Sequence, residues 1–156
     1  MIILALISWA LAAVCNAVMD VVAFKFKRSV FRELNPFWWN PAKSWKNKYK
    51  GREPGNGPAY AGSTTVLCFT TDAWHLFQFG MTLFMALSFI FVCQVEINLN
   101  IVSTLAILLG LKVLWGLVFE LFYSKILRRN GILRRSDSSP RNKGIRHRSS
   151  KSRKPK

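Results

Sequence analysis

Asp20, Asp72, His75 and Glu120 are ionisable residues set inside stretches otherwise apolar enough to cross a bilayer. Ionisable groups are costly in hydrocarbon, so a shared polar level there is a candidate functional site. Carboxylates joined by an imidazole can ligate Fe, Mn or Zn, and an imidazole can pass a proton. Asp72 and His75 stand three residues apart, which brings both to one face of a helix. Facing helices build metal centres from carboxylates and carboxylate-x-x-His pairs, and this chain offers one such pair. A transition metal held by His75, Asp72, Asp20 and Glu120 is one expectation. A charge-compensated network that also takes in Asn16 and Lys112 is a second. In it Lys112 reaches toward Glu120, and His75 pairs with Asp20 or Asp72. A plainer third makes Asp72 a helix N-cap and leaves the groups near the interface hydrated.

The elements that must position these groups are legible from composition. The chain has 156 residues and is 51% hydrophobic, yet its formal net charge is +16. Both hold only if apolar and basic residues are segregated. Residues 2–24 and 69–95 contain no Lys or Arg, and residues 101–123 contain only Lys112. Each run reaches the roughly 20 residues that a helix needs to span the hydrocarbon. Three such runs leave too little polar sequence to cover a globular core. The sequence therefore predicts an all-α membrane protein with three transmembrane helices at residues 1–24, 69–95 and 101–123.

Charge placement predicts orientation. The 25–68 segment carries Lys25, Lys27, Arg28, Arg32, Lys43, Lys46, Lys48, Lys50 and Arg52 against Glu33 and Glu53. Residues 124–156 are denser still in cations, with Asp137 as the one acid, whereas the 96–100 link has no base. The positive-inside rule puts the first loop and the tail in the cytoplasm, and the N-terminus and link outside an inner membrane. Ala10-Leu11-Ala12 has the form of a signal-peptidase site, but no basic region precedes it, so the first helix is expected to stay attached.

Within the 25–68 segment, Lys25–Asn35 is expected to continue the first helix amphipathically until Pro36 stops it. Trp38, Trp39, Trp45 and Tyr49 then alternate with Lys43, Lys46 and Lys48, the mixture that the headgroup level selects. Ser63, Thr64, Thr70, Thr71 and Asp72 offer caps for the second helix. Beyond about Arg128 the single-sign charge predicts disorder.

On the helices, Ser8, Ala12, Asn16 and Asp20 form one stripe, Asp72, His75, Gln78, Thr82 and Ala86 a second, and Lys112, Gly116 and Glu120 a third. Such stripes are expected to face one another rather than lipid. At about 1.5 Å per residue the four ionisable groups lie within roughly 5 Å of one another in depth. Lys112 lies deeper, about 16 Å from the inner end of its span.

Cys15, Cys68 and Cys93 give neither a disulfide framework nor a metal knuckle. Nucleophile elbow, Gly-rich phosphate loop and paired-His motif are all missing, and His147 in the tail is the one histidine besides His75. The sequence lends an enzyme no support. Its cations suit anionic lipid, a membrane-protein partner or a second copy at the cytoplasmic face, and less readily a nucleic acid.

The strings FWWNPAKSWKNKYK and TDAWHLFQF resemble small multi-span membrane proteins of bacterial and phage genomes. The resemblance covers about Asn16 to Gly80 and, that group having no established activity, implies no catalytic residue. Three spans with a basic tail are also similar to class I phage holins, which implies pore formation. The long aromatic loop between the first two spans departs from the holin pattern.

Overall fold

Three long helices dominate the computed structural model, which describes residues 1–94 and 100–128. Helix α1 spans Ile2–Lys25, and two short helices follow at Pro36–Trp39 (α2) and Pro41–Ser44 (α3). Helix α4 is Ala73–Cys93, and α5 is Ile101–Glu120, continued by a π-helical turn over Leu121–Ile126. Among the described residues there is no strand, only isolated bridges at Ser29–Arg128 and Tyr49–Pro58. All three long helices are apolar enough to cross a membrane, and the chain is an all-α, multi-pass membrane protein.

Helix α1 is the central element. In its most apolar stretch 44% of residues are buried within the protein, against 6% for α4 and none for α5. It packs mainly along α4 and secondarily on α5. The α1–α4 seam is lined by small groups, as close helix approach in lipid requires. Ala5, Ala12, Cys15 and Ala73 are buried, and the Ser88 hydroxyl donates to the Ala5 carbonyl at 2.9 Å. Against α5, the Trp9 indole N–H donates to the Leu111 carbonyl at 3.0 Å, and its ring meets Trp115 edge to face at 5.2 Å.

The hydrophobic core lies at one end of the bundle, where α1 ends, α4 begins and the π-helical turn closes. Ala17, Val18, Val21 and Val22 meet Phe31 and Leu127 there, with Trp39, Trp74, Phe77, Phe122 and Tyr123 packed around them. In the wider π turn the Leu127 amide bonds back to Phe122, and Leu127 joins the core. This end also carries the cations that follow α1, and we call it the basic end.

The 25–68 segment departs from its expected form. Lys25–Asn35 is no helical extension of α1, because the chain breaks at Ser29. Its backbone is extended, and both its hydroxyl and its amide donate to the Phe26 carbonyl, at 2.8 and 3.1 Å. Short 3-10 turns at Phe26–Arg28 and Val30–Glu33 stand where the extension was expected. Pro36 begins a helix instead of stopping one. Asn35 and Asn40 each cap a turn whose first residue is proline, their Oδ1 atoms accepting from the Phe37 and Ala42 amides at 2.9 and 3.0 Å.

Two boundaries shift as well. The second span starts at Ala73 rather than residue 69, since Cys68–Thr70 forms a 3-10 turn and Asp72 caps the helix. Residues 124–126, placed by sequence in the tail, belong to the π turn. The expected disorder of the tail falls on residues outside those described, as does most of the 96–100 link.

Candidate functional site

Asp72 and His75 come together as their spacing predicts. Asp72 is 2% exposed, and its Oδ1 accepts the His75 amide at 3.0 Å, capping α4. Its Oδ2 faces the imidazole Nδ1 at 2.7 Å and accepts the Thr71 hydroxyl at 3.4 Å. The carboxylate thus both starts the helix and orients the ring. The imidazole lies edge to face with Trp74 at 5.0 Å and lines a shallow depression of about 250 Å³ with Thr65, Cys68, Gln78 and Thr82. Behind it, the Asn47 side-chain amide donates to the carbonyls of Phe37 and Thr71, at 2.5 and 2.9 Å. That amide ties the aromatic loop to the start of α4.

The other members of the expected polar level do not join this pair. Asp20 and Asn16 are half-buried on α1. Glu120 is exposed on α5, where its carboxylate accepts the Ser124 hydroxyl one turn on. Lys112 is exposed and pairs with no carboxylate among the described residues. It lines an apolar groove of about 370 Å³ with Trp9, Met85, Leu108, Leu111 and Trp115. The expected approach of Lys112 to Glu120 does not occur, because eight residues separate them by about 12 Å along one helix.

Among the described residues no three of His, Cys, Asp and Glu gather closely enough to hold a metal ion, so the four-ligand set of Asp20, Asp72, His75 and Glu120 is not assembled. The physical reason lies in the packing. The smallest residues of α1 and α4 choose the seam, which turns Gln78, Thr82 and Ala86 outward to exposed positions. Thr82 needs no partner helix, since its hydroxyl donates to the Gln78 carbonyl of its own turn at 3.0 Å. On α1, Ser8 and Ala12 do face inward, as their stripe predicts.

The residues expected at the lipid interface divide. Trp39 is not a free interfacial ring: it stacks on Phe31 at 4.4 Å and leans on Phe77 at 6.0 Å, a contact only the folded loop provides. Trp45 is exposed, with Tyr49 edge to face at 6.2 Å and the Lys46 ammonium 5.7 Å from its ring. Lys48 similarly lies 5.6 Å from the Tyr49 ring, and Lys43 5.8 Å from Phe37. Trp38 is half-buried.

A larger concavity, of about 1000 Å³, opens at the basic end. Lys25, Lys27 and Arg28 line it from the end of α1, Arg32 from the following turn, and Arg128 from beyond α5. Phe24, Pro36 and Pro41 supply apolar wall, and Asn40 an amide. The antiparallel bridge Ser29–Arg128, with the Val30 amide donating to the Leu127 carbonyl at 3.1 Å, brings the distant Arg128 to the others. The Lys25 ammonium lies 3.7 Å from the centre of the Tyr123 ring, a cation–π contact joining α1 to the π turn. The sequence sets the first four cations on an amphipathic extension of the first helix and does not join them to Arg128. That contact spans about a hundred residues and leaves no local signal.

No protein-family model matches the chain, and no curated protein or solved structure matches it.

Proposed function

We propose that the protein is a non-enzymatic component of a cell's inner membrane that binds anionic lipid through its basic end, which faces the cytoplasm. The carrying observation is the folded concavity of Lys25, Lys27, Arg28, Arg32 and Arg128 at the ends of the spans, bordered by apolar wall. Cations near a charged leaflet contribute about 1 kcal/mol each, and rings beside lysines suit the same level. Trp45, Lys46, Lys48 and Tyr49 supply such a band next to it. The cation excess of the first loop and tail supports the cytoplasmic orientation by the positive-inside rule.

Retention of lipid by the purified, full-length protein tests the reading. Detergent-solubilised protein titrated with phosphatidylglycerol and phosphatidylcholine should prefer the anionic lipid, and the preference should shrink with salt. Equal retention of both lipids overturns it. Tight binding of a single-stranded RNA in the absence of any lipid preference would assign the cations to nucleic acid instead. A fluorescent-protein fusion at the C-terminus should be bright in a bacterial host if that end is cytoplasmic.

A further inference from the structure

We propose that the concavity at the basic end is a discrete site for one lipid whose headgroup carries two phosphate groups. The inference rests on the reading that this end binds anionic lipid, and it names which lipid chemistry the site selects. Five cations, Lys25, Lys27, Arg28, Arg32 and Arg128, converge on one concavity, and among the described residues no carboxylate lines it. A single phosphodiester, with one negative charge, leaves most of that charge uncompensated. Two phosphates on one molecule neutralise far more of it without the entropic cost of ordering a second lipid. Three of the five are arginines, whose planar guanidinium groups meet phosphate oxygens in bidentate fashion.

Two of these cations are also pre-positioned by the fold. The Ser29–Arg128 bridge fixes the backbone of Arg128, and Tyr123 holds the Lys25 ammonium. An arrangement set by the fold selects a headgroup's shape, whereas a loose polycation selects only charge. The remaining wall favours an amphiphile over a free anion. Phe24 is 77% exposed at the edge of the first span, beside Ala23, where an acyl or prenyl chain leaving the headgroup would lie.

Two sources share this chemistry: a diphosphatidylglycerol, with phosphates at both ends of a glycerol, and a polyprenyl diphosphate, with phosphates in series. Competitive binding to the full-length protein in detergent distinguishes them from each other and from simple charge. The probes are diphosphatidylglycerol, a polyprenyl diphosphate, phosphatidylglycerol at matched phosphate, and phosphatidylcholine. At least one two-phosphate lipid should bind about tenfold or more tightly than phosphatidylglycerol per phosphate, and whichever does so identifies the source. Inorganic pyrophosphate should displace the polyprenyl diphosphate more readily than the diacyl lipid.

Arg32→Gln and Arg128→Gln, separately and together, should bring the ratio toward one while circular dichroism and melting stay unchanged. A ratio near one in the wild type, with phosphatidylglycerol still preferred to phosphatidylcholine, overturns the two-phosphate site alone. Absence of any anionic preference overturns the parent reading as well. Retention of the full ratio in the folded double variant would place the selection elsewhere and also defeat the proposal.

Discussion

Asp72 holds His75 twice, through the backbone amide at 3.0 Å and through the imidazole Nδ1 at 2.7 Å. The two contacts use different carboxylate oxygens, so the cap and the side-chain pair are separable by substitution. Asparagine can still cap the helix but carries no charge, whereas alanine does neither. Asp72→Ala should therefore cost about 1 kcal/mol of stability, and Asp72→Asn distinctly less, in thermal melts of the detergent-solubilised protein. Equal losses for the two variants would show that the carboxylate's contact with the imidazole, and not the cap, holds this end of α4.

Helix α1 lies close against α4 at Gly80, where an added Cβ would stand 3.3 Å from the Cys15 sulfur. Gly80→Ala obliges that sulfur to give by a few tenths of an ångström, and Gly80→Leu must force the helices apart. Overpacking of this kind costs about 1–3 kcal/mol. Cys15→Ala should relieve part of the Gly80→Ala loss, so the pair should be non-additive in a double-mutant cycle. Additive effects would mean that the seam relaxes elsewhere.

Asn47 is the link between the aromatic loop and the membrane-spanning bundle. Its amide donors reach both the Phe37 and the Thr71 carbonyls, and an Asp side chain cannot donate to either. Asn47→Asp should loosen the loop while leaving the three long helices folded. Limited trypsin digestion checks this, through faster cleavage at the neighbouring Lys46, Lys48, Lys50 and Arg52. Unchanged cleavage with unchanged helicity would show that the core contacts of Trp39 anchor the loop unaided.

The three spans were legible because length and hydropathy over some twenty residues outweigh any local preference. The Asp72 cap was legible too, as a capping residue directly before an apolar run, though Thr70 and Thr71 competed for the role. The break at Ser29 was not, since Lys25–Asn35 keeps a plausible amphipathic pattern. What breaks the pattern there is a buried serine turned back on the Phe26 carbonyl, next to the hydrogen bond from the Val30 amide to the Leu127 carbonyl. Convergence of the polar stripes failed for a similar reason. Periodicity shows which residues share a face, whereas the face that is buried was chosen by Gly80, Cys15 and Ala12, whose small size allows close contact. The pairing of Arg128 with the end of α1 is a long-range event that no window of sequence displays.

Lys112 stands near the middle of α5 on an exposed side, in a groove floored by Trp9 and bordered by Trp115. No carboxylate among the described residues meets it, so within that part of the chain the charge contributes no ion-pair stability. A lysine at such depth opposes membrane insertion by about 2.5–3.5 kcal/mol on insertion scales. Lys112→Leu should accordingly raise the fraction of α5 that inserts in a glycosylation-reporter assay and leave the melting temperature of the solubilised monomer unchanged. Trp9→Phe, which removes the indole N–H donated to the Leu111 carbonyl, should lower that temperature, at a cost of about 1 kcal/mol. The contrast separates a groove held together by Trp9 from one held together by the lysine. A melting temperature lowered by Lys112→Leu but not by Trp9→Phe would reverse the assignment and make the lysine a structural element of the bundle.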